Sequence, residues 1–127
     1  MEIMIKIGED IQLRALLKNT ETARRIAEAL PLQGKGSTWG QEIYFSTPVD
    51  APLEEDAREV LEEGELGYWP DLQAFCIFYG PTPASQGQEI RAAGPVNVFG
   101  YVLDDLSPLE ALKGPVSVVV EKREENT

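Results

Sequence analysis

The strongest constraint on the fold is an unbroken apolar run at residues 74–79, inside the aromatic segment 64–80. A strand without polar alternation must be covered on both faces, so this run predicts the middle strand of a sheet or barrel. Pro70-Asp71 precedes the run and predicts a turn, because proline pre-sets φ and aspartate bonds to nearby backbone. The segment therefore predicts a hairpin with a tight corner, in which Gly67 permits a close approach.

Further strands are predicted where apolar and polar residues alternate. They fall at residues 2–7, 11–17, 37–48, 96–103 and 116–121. A short turn joins the first two of these strands, which predicts a second hairpin. Gly100 interrupts the strand at 96–103 and indicates a bulge or a close backbone approach.

Two helices are predicted from their start and stop signals. The first is capped by Asn19 or Thr20 and ends at Pro31. Its apolar stripe consists of Ala23, Ile26, Ala27 and Leu30. The second begins at Ser107, with proline next and glutamate three residues on, and Gly114 is placed to end it.

The remaining segments are predicted as connections. Residues 33–37 indicate a polar connection, residues 80–95 a long surface loop, and residues 121–127 a frayed tail. Residues 50–63 fit either a short acidic helix or an irregular loop in which Val60-Leu61 begins a strand. Seven or eight strands and two helices without β-α-β alternation predict one mostly β domain over residues 1–127, a closed barrel with a helix over each end.

Composition excludes several classes of site. The chain contains no histidine, which removes the commonest general base and metal ligand, and with them serine or cysteine triads and ordinary zinc sites. The carboxylates at 54–56 and 104–105 lack the spacing of a calcium loop, so we expect neither metal nor cofactor. A net charge of −11 disfavours nucleic acid and anionic membranes as partners.

Cellular location is predicted from the lone cysteine, Cys76, and from the N-terminus. One cysteine allows no disulfide within the chain, which fits a reducing compartment. The first ten residues are interrupted by charge and do not resemble a signal peptide. No apolar run approaches the roughly 20 residues of a spanning helix. We therefore expect a cytoplasmic protein.

Candidate ligand-binding residues are mainly aromatic, because an aromatic wall with polar tips grips a peptide or a small apolar ligand. They are Trp39, Glu42, Tyr44, Tyr68, Trp69, Phe78 and Arg91. Glu42 is expected either to accept a ligand hydrogen bond, to act as an acid or base, or to be a solvated strand residue. Core packing is the open alternative for Trp69 and Phe78.

Three motifs carry a family resemblance that covers nearly the whole chain: Thr38-Trp39-Gly40, Glu42-Ile43-Tyr44-Phe45 and Gly67-Tyr68-Trp69-Pro70. With the order of the elements around them, they resemble the small cyclophilin-like proteins of bacteria and archaea. The resemblance implies an eight-stranded barrel capped by two helices. True cyclophilins are peptidyl-prolyl isomerases that use an arginine shortly after the first helix. The matching segment, residues 34–48, has Lys35 as its only cation, so the resemblance supplies no catalytic residue.

Three functions follow, in order of preference. The first is a binding module that holds a peptide segment or small ligand in an aromatic groove without efficient catalysis. The second is an atypical prolyl isomerase in which Arg91 or a backbone donor replaces the missing arginine. The third is a structural domain that assembles through an exposed strand edge, and the expected state is a monomer or a small homo-oligomer.

Overall fold

The computed structural model describes residues 1–123, in which the chain is mostly β. The strands are β1 (Glu2–Ile7), β2 (Ile11–Leu17), β3 (Leu32–Thr38), β4 (Glu42–Ser46), β5 (Arg58–Leu61), β6 (Glu65–Trp69), β7 (Ala74–Phe78), β8 (Ile90–Val102) and β9 (Val116–Lys122). One α-helix, α1 (Glu21–Ala29), and two 3₁₀ turns at Pro70–Leu72 and Ser107–Ala111 complete the described part. Of the tail predicted at 121–127, residues up to Lys122 belong to β9, and residues 124–127 lie outside the described range.

The strands form one sheet in which every pairing is antiparallel. The order is β2-β1-β9-β3-β4-β7-β6-β8-β5. β2 also pairs with β8, from Ala15 opposite Val102 to Leu17 opposite Gly100. The pairings therefore connect eight strands in a continuous circuit, and β5 lies outside it against β8.

Two buried apolar clusters lie on opposite faces of the strand β7. The main core receives Phe75 and Ile77, and its other members come from the remaining strands of the circuit, from α1 and from connecting segments such as the one that contains Val49 and Ala51. The second cluster consists of Leu61, Ala74, Cys76, Phe78, Ile90, Ala92 and Val96. Every residue of β7 is buried, which confirms the prediction of a strand covered on both faces.

The first helix follows its sequence signals. Thr20 is the N-cap, and its hydroxyl accepts a 3.1 Å hydrogen bond from the amide of Ala23. Ala23 and Ile26 are buried in the main core. This helix has nine residues, and within the described residues 1–123 no helix is long and apolar enough to cross a membrane.

The polar connection predicted at residues 33–37 is wrong, because these residues lie within β3, where residues 33–36 pair with β9 and Ser37 pairs with Tyr44 of β4. The two glycines serve close packing. A Cβ atom on Gly34 would lie 2.9 Å from a ring carbon of Phe45, and one on Gly36 would lie 2.9 Å from Val118. The strand predicted at 37–48 is divided into two, because the chain turns at Gly40, where φ is +59°.

Residues 50–63 follow the second predicted alternative in forming an irregular loop followed by a strand, but β5 begins at Arg58, so Val60-Leu61 ends this strand instead of beginning it. A buried polar network holds this loop. Asn97 donates hydrogen bonds to the Thr22 hydroxyl (3.0 Å) and the Pro52 carbonyl (2.9 Å), and it accepts one from the Glu54 amide (2.8 Å). The Glu54 carboxylate in turn accepts a 3.1 Å bond from the Thr22 amide at the start of α1. These contacts satisfy backbone groups that a helix would otherwise pair internally.

The second predicted helix is a 3₁₀ turn, and Ser107 is not its cap. The Ser107 hydroxyl instead donates a 2.6 Å bond to Asp105, and the turn ends at Ala111, with Leu112 as its C-cap in place of Gly114. The loop predicted at 80–95 is shorter than expected, because β8 begins at Ile90. The close approach predicted at Gly100 is confirmed: a Cβ atom there would lie 2.5 Å from the Leu16 carbonyl oxygen.

Candidate functional site

A cavity of about 270 Å³ lies against the second cluster. Its lining residues are Trp39, Glu42, Tyr44, Trp69, Leu72, Cys76, Phe78, Ala92, Ala93 and Val96. The chain has two tryptophans, and both line this cavity. Its walls are therefore mainly aromatic and aliphatic, as is typical of small-ligand sites.

Strand alternation places these side chains. Successive residues of a strand point to opposite faces, so Ile43 and Phe45 of β4 enter the main core while Glu42 and Tyr44 face the cavity. The neighbouring strand β7 is paired so that Glu42 lies opposite Phe78 and Tyr44 opposite Cys76. The four cavity-facing side chains of β4 and β7 therefore form one continuous surface.

Gly67 of β6 makes room for the floor of the cavity. A Cβ atom on Gly67 would lie 2.8 Å from Val96 and 3.0 Å from the ring of Phe78. Two buried side chains therefore lie directly over the glycine, as the sequence predicted for a close approach. Gly94 differs from Gly67, since a Cβ atom there would lie 3.5 Å from the indole nitrogen of Trp69, an ordinary van der Waals distance.

Glu42 is the one carboxyl group in the lining. Its side chain is buried, with 6% of the residue exposed. Burial raises the pKa of Glu42 to about 7, because desolvation disfavours the charged form, and the neighbouring Cys76 thiol opposes this shift. Among residues 1–123, no lysine or arginine forms an ion pair with Glu42.

Cys76 is a buried thiol on the floor of the cavity. Burial raises the pKa of this thiol well above its ordinary value, and the nearby Glu42 carboxylate adds to the effect. The thiol is therefore held in its protonated form, which is a poor nucleophile. It acts as a small apolar surface, as the sequence indicated.

Five of the seven predicted ligand-binding residues meet in this cavity: Trp39, Glu42, Tyr44, Trp69 and Phe78. Tyr68 does not. It is 1% exposed in the main core, and its hydroxyl donates a 2.6 Å bond to the Val49 carbonyl. Because side chains alternate along β6, Tyr68 and Trp69 point to opposite faces, so the sequence prediction that grouped them was wrong in this respect.

Arg91 also lies away from the cavity lining. Its Nε donates a 3.0 Å bond to Glu89, and its guanidinium lies 3.5 Å from a carboxylate oxygen of Glu59. The Arg91 side chain is 26% exposed. The predicted role of Arg91 at the groove therefore finds no contact in the described structure.

Five lining residues were not predicted from the sequence: Leu72, Cys76, Ala92, Ala93 and Val96. Strand alternation already indicated Cys76, which is two residues before Phe78 on the same face. Ala92 and Ala93 were not predicted as lining residues, because their segment was predicted to be a loop. The sequence pattern alone does not indicate that this segment lies beside the cavity.

The chemistry of the cavity is limited to a few groups. Its ionisable lining residues are Glu42, Tyr44 and Cys76, and none of the lining residues is a cation. Within residues 1–123, no three His, Cys, Asp or Glu side chains come together as metal ligands do. The arrangement is suited to enclosing an apolar group and presenting one carboxyl to it.

Comparison with known proteins relates nearly the whole chain to one family. A family profile described as cyclophilin-like matches residues 1–121. Among solved structures, the solution structure of a hypothetical protein from Archaeoglobus fulgidus has 37% sequence identity and a TM-score of 0.81, and the match covers 97% of this chain and 95% of that chain. No curated protein matches the chain.

Proposed function

The chain belongs to the cyclophilin-like family, and we propose that it is a binding module that holds a small ligand or a peptide segment without efficient catalysis. The proposed site is the cavity between Trp39, Tyr44 and Trp69. The observation that carries the proposal is the combination of half-buried aromatic walls, an apolar floor and one buried carboxyl, Glu42. Sites for small ligands share this composition, with few polar groups that fix orientation.

Prolyl isomerase activity is the alternative with less support. Rotation about a peptide bond has a barrier of about 18–20 kcal/mol, so a catalyst must stabilise the twisted amide selectively. The arginine of true cyclophilins has no counterpart among the described lining residues, none of which is a cation. The proposed replacement, Arg91, is engaged by Glu89 and Glu59 instead.

Assembly through a strand edge is the third alternative. The strand outside the pairing circuit is β5, which pairs with β8 alone among the described strands. Its exposed residues include Arg58 and Glu59, and charged side chains are a common protection of edge strands against pairing. This feature favours a monomer as the binding form, and light scattering tests it.

We also propose a closed barrel for the fold and a cytoplasmic location for the protein. The circuit of pairings that returns from β8 to β2 supports a closed eight-stranded barrel of the cyclophilin type. A cytoplasmic location is supported by the single cysteine, which is buried and has no partner for a disulfide within the chain.

Intrinsic fluorescence gives a direct test, because both tryptophans line the cavity. The purified protein is titrated with small apolar and amphipathic molecules and with short proline-containing peptides. We expect a saturable change in tryptophan emission with at least one class, and no acceleration of prolyl isomerisation by the protein.

The control fills the cavity. Ala92→Leu adds three carbon atoms at a buried lining position, whereas Ala111→Leu adds the same atoms at an exposed one. Binding should weaken in the first variant and persist in the second, with both folds verified by circular dichroism. Isomerase activity that Ala92→Leu abolishes would instead make this cavity an isomerase site. Binding that both variants leave unchanged would place the ligand elsewhere.

A further inference from the structure

The cavity holds a buried carboxyl that has no countercharge among the described residues. Glu42 is 94% removed from solvent, and its cavity contains no lysine or arginine. The eight salt bridges among residues 1–123 all involve other carboxylates. An ionised carboxylate in such a place is costly unless a cation is brought to it. The missing countercharge is therefore something that a ligand can supply.

The walls around Glu42 also favour a cation. Trp39, Tyr44 and Trp69 are half-buried aromatic side chains, so part of each remains accessible from the cavity. Aromatic rings attract cations through their negative faces, tryptophan most strongly, and the attraction increases when the cation is desolvated. The net charge of −11 further raises the local concentration of cations around the protein.

We propose that the cavity binds an alkylammonium, a primary or methylated amine on an aliphatic chain, with its charge against Glu42 and its carbon atoms against Trp39, Tyr44 and Trp69. The inference rests on the proposed binding function and names the chemical class of its ligand. Among residues 1–123, no lysine or arginine lines the cavity or forms an ion pair with Glu42, so no described cation competes for the carboxylate.

The size of the cavity sets the size of the occupant. About 270 Å³ lies just below the roughly 300–1,000 Å³ of sites for drug-sized ligands. The cavity therefore accepts one ammonium group with a short chain. That group is carried either by a free amine or by the lysine side chain of a peptide.

The ionisation of Glu42 makes this binding depend on pH. An ammonium requires the charged carboxylate, and the pKa of Glu42 is about 7. Affinity should therefore rise with pH through about 7 and fall about tenfold per pH unit below it. The other ionisable groups lining the cavity are Tyr44 on the same strand and Cys76 on β7, while the lining residues from β6 and β8 carry none. A neutral ligand that accepts the carboxyl proton would show the opposite trend.

Charged and uncharged isosteres test the proposal. Choline is compared with 3,3-dimethylbutan-1-ol, and an acetylated, amidated Gly-Lys-Gly peptide with its norleucine counterpart. Each probe is titrated by calorimetry and tryptophan fluorescence at about pH 8 and about pH 5.5, on either side of the Glu42 pKa. We expect at least tenfold tighter binding of the charged member at the higher pH, and loss of that preference at the lower pH.

Matched variants separate the site from the general field of the protein. Glu42→Gln removes one charge inside the cavity, whereas Glu110→Gln removes one from an exposed position outside it. Ammonium affinity should fall at least tenfold in Glu42→Gln and stay unchanged in Glu110→Gln. Calorimetry of the unmodified protein near pH 7, in buffers of different ionisation enthalpy, should also detect the release of about half a proton on binding.

The outcomes discriminate between the two proposals. Preference for choline alone or for the lysine peptide alone supports the inference and identifies the source of the ammonium. Equal binding of charged and uncharged probes, or no effect of Glu42→Gln, overturns the inference but leaves a binding cavity in place. Failure of every charged probe in a protein whose cavity binds neutral ligands overturns it as well.

Discussion

The main core and the second cluster share β7 but differ in how completely they are filled. In the main core, the ring of Phe75 lies with its centroid 5.3 Å from that of Phe45 and 5.0 Å from that of Phe99. The second cluster has seven buried apolar residues, and beside them lie a 270 Å³ cavity and the carboxyl of Glu42, which forms no ion pair among residues 1–123. Alternate residues of one strand therefore contribute to a closed interior and to an open site.

The difference shows how a small domain divides stability from binding. Dense packing in the main core provides most of the apolar burial that opposes the entropy of unfolding. The second cluster leaves aromatic surface and one carboxyl available at the cost of incomplete packing. A change in the main core should therefore act on stability, and a change in the second cluster should act mainly on binding.

The largest expected effect comes from removing a ring from the main core. Phe75→Ala should lower the free energy of unfolding by about 3–5 kcal/mol, because the residue is fully buried between two other rings. Phe78→Ala should cost less, because one side of that ring already borders the cavity. Urea denaturation measures both. Equal losses of unfolding free energy would show that the two clusters are packed equally densely, which would contradict the difference described above.

The next effect concerns Glu42 and depends on pH. Its folded-state pKa is raised, so the folded protein holds a proton that the unfolded chain releases between about pH 4.5 and about pH 7. Stability from this group is therefore present at low pH and lost as pH rises through about 7. Glu42→Gln should stabilise the fold by about 3 kcal/mol above pH 7 and have little effect below about pH 4.

Thermal or urea unfolding at several pH values measures this difference, with Glu110→Gln as the control for net charge. A Glu42→Gln effect that is the same at low and high pH would mean that the carboxyl does not ionise within the cavity.

A smaller effect is expected from Tyr68, the aromatic residue that the sequence assigned to the wrong region. Tyr68→Phe removes the 2.6 Å bond to the Val49 carbonyl, which still accepts a 2.9 Å bond from Gln73. We expect a loss of about 1 kcal/mol in unfolding free energy and unchanged ligand binding. Weakened binding in this variant would mean that the main core and the cavity are coupled.

Arg91 should have the smallest effect. Its partners Glu59 and Glu89 are partly exposed, and ion pairs of this kind contribute about 0–1 kcal/mol. Arg91→Ala should therefore change stability by less than about 1 kcal/mol and leave cavity binding unchanged. A marked loss of binding, or of any prolyl isomerase activity, would show that Arg91 contributes to the site.

Local alternation was enough to predict much of both regions. On β4 it correctly separated Ile43 and Phe45 from Glu42 and Tyr44, and the apolar run at β7 correctly indicated burial on both faces. The same rule, applied to Tyr68 and Trp69, would have removed Tyr68 from the candidate site. That error was one of application, since the signal was present in the sequence.

Other features depend on contacts that are distant along the chain. The loop at 50–63 is fixed by Asn97, whose bond to the Glu54 amide spans 43 residues. β3 is a strand despite two glycines because Phe45 and Val118 occupy the space beside them. The wall formed by Ala92 and Ala93 exists because a segment of weak strand propensity pairs within the sheet. Propensity alone does not reveal such pairings.

The strand β8 connects the two regions, and this limits how the site can change in evolution or design. Its first half supplies Ala92 and Val96 to the cavity, Asn97 then anchors the loop at 50–63, and Phe99 lies in the main core. Altering specificity through β8 therefore disturbs pairing with three other strands. Trp39 lies at a turn and Leu72 at the rim, and neither residue takes part in the pairing of β8 with these strands. New ligand preferences should accumulate at these positions first, while β8 stays nearly constant.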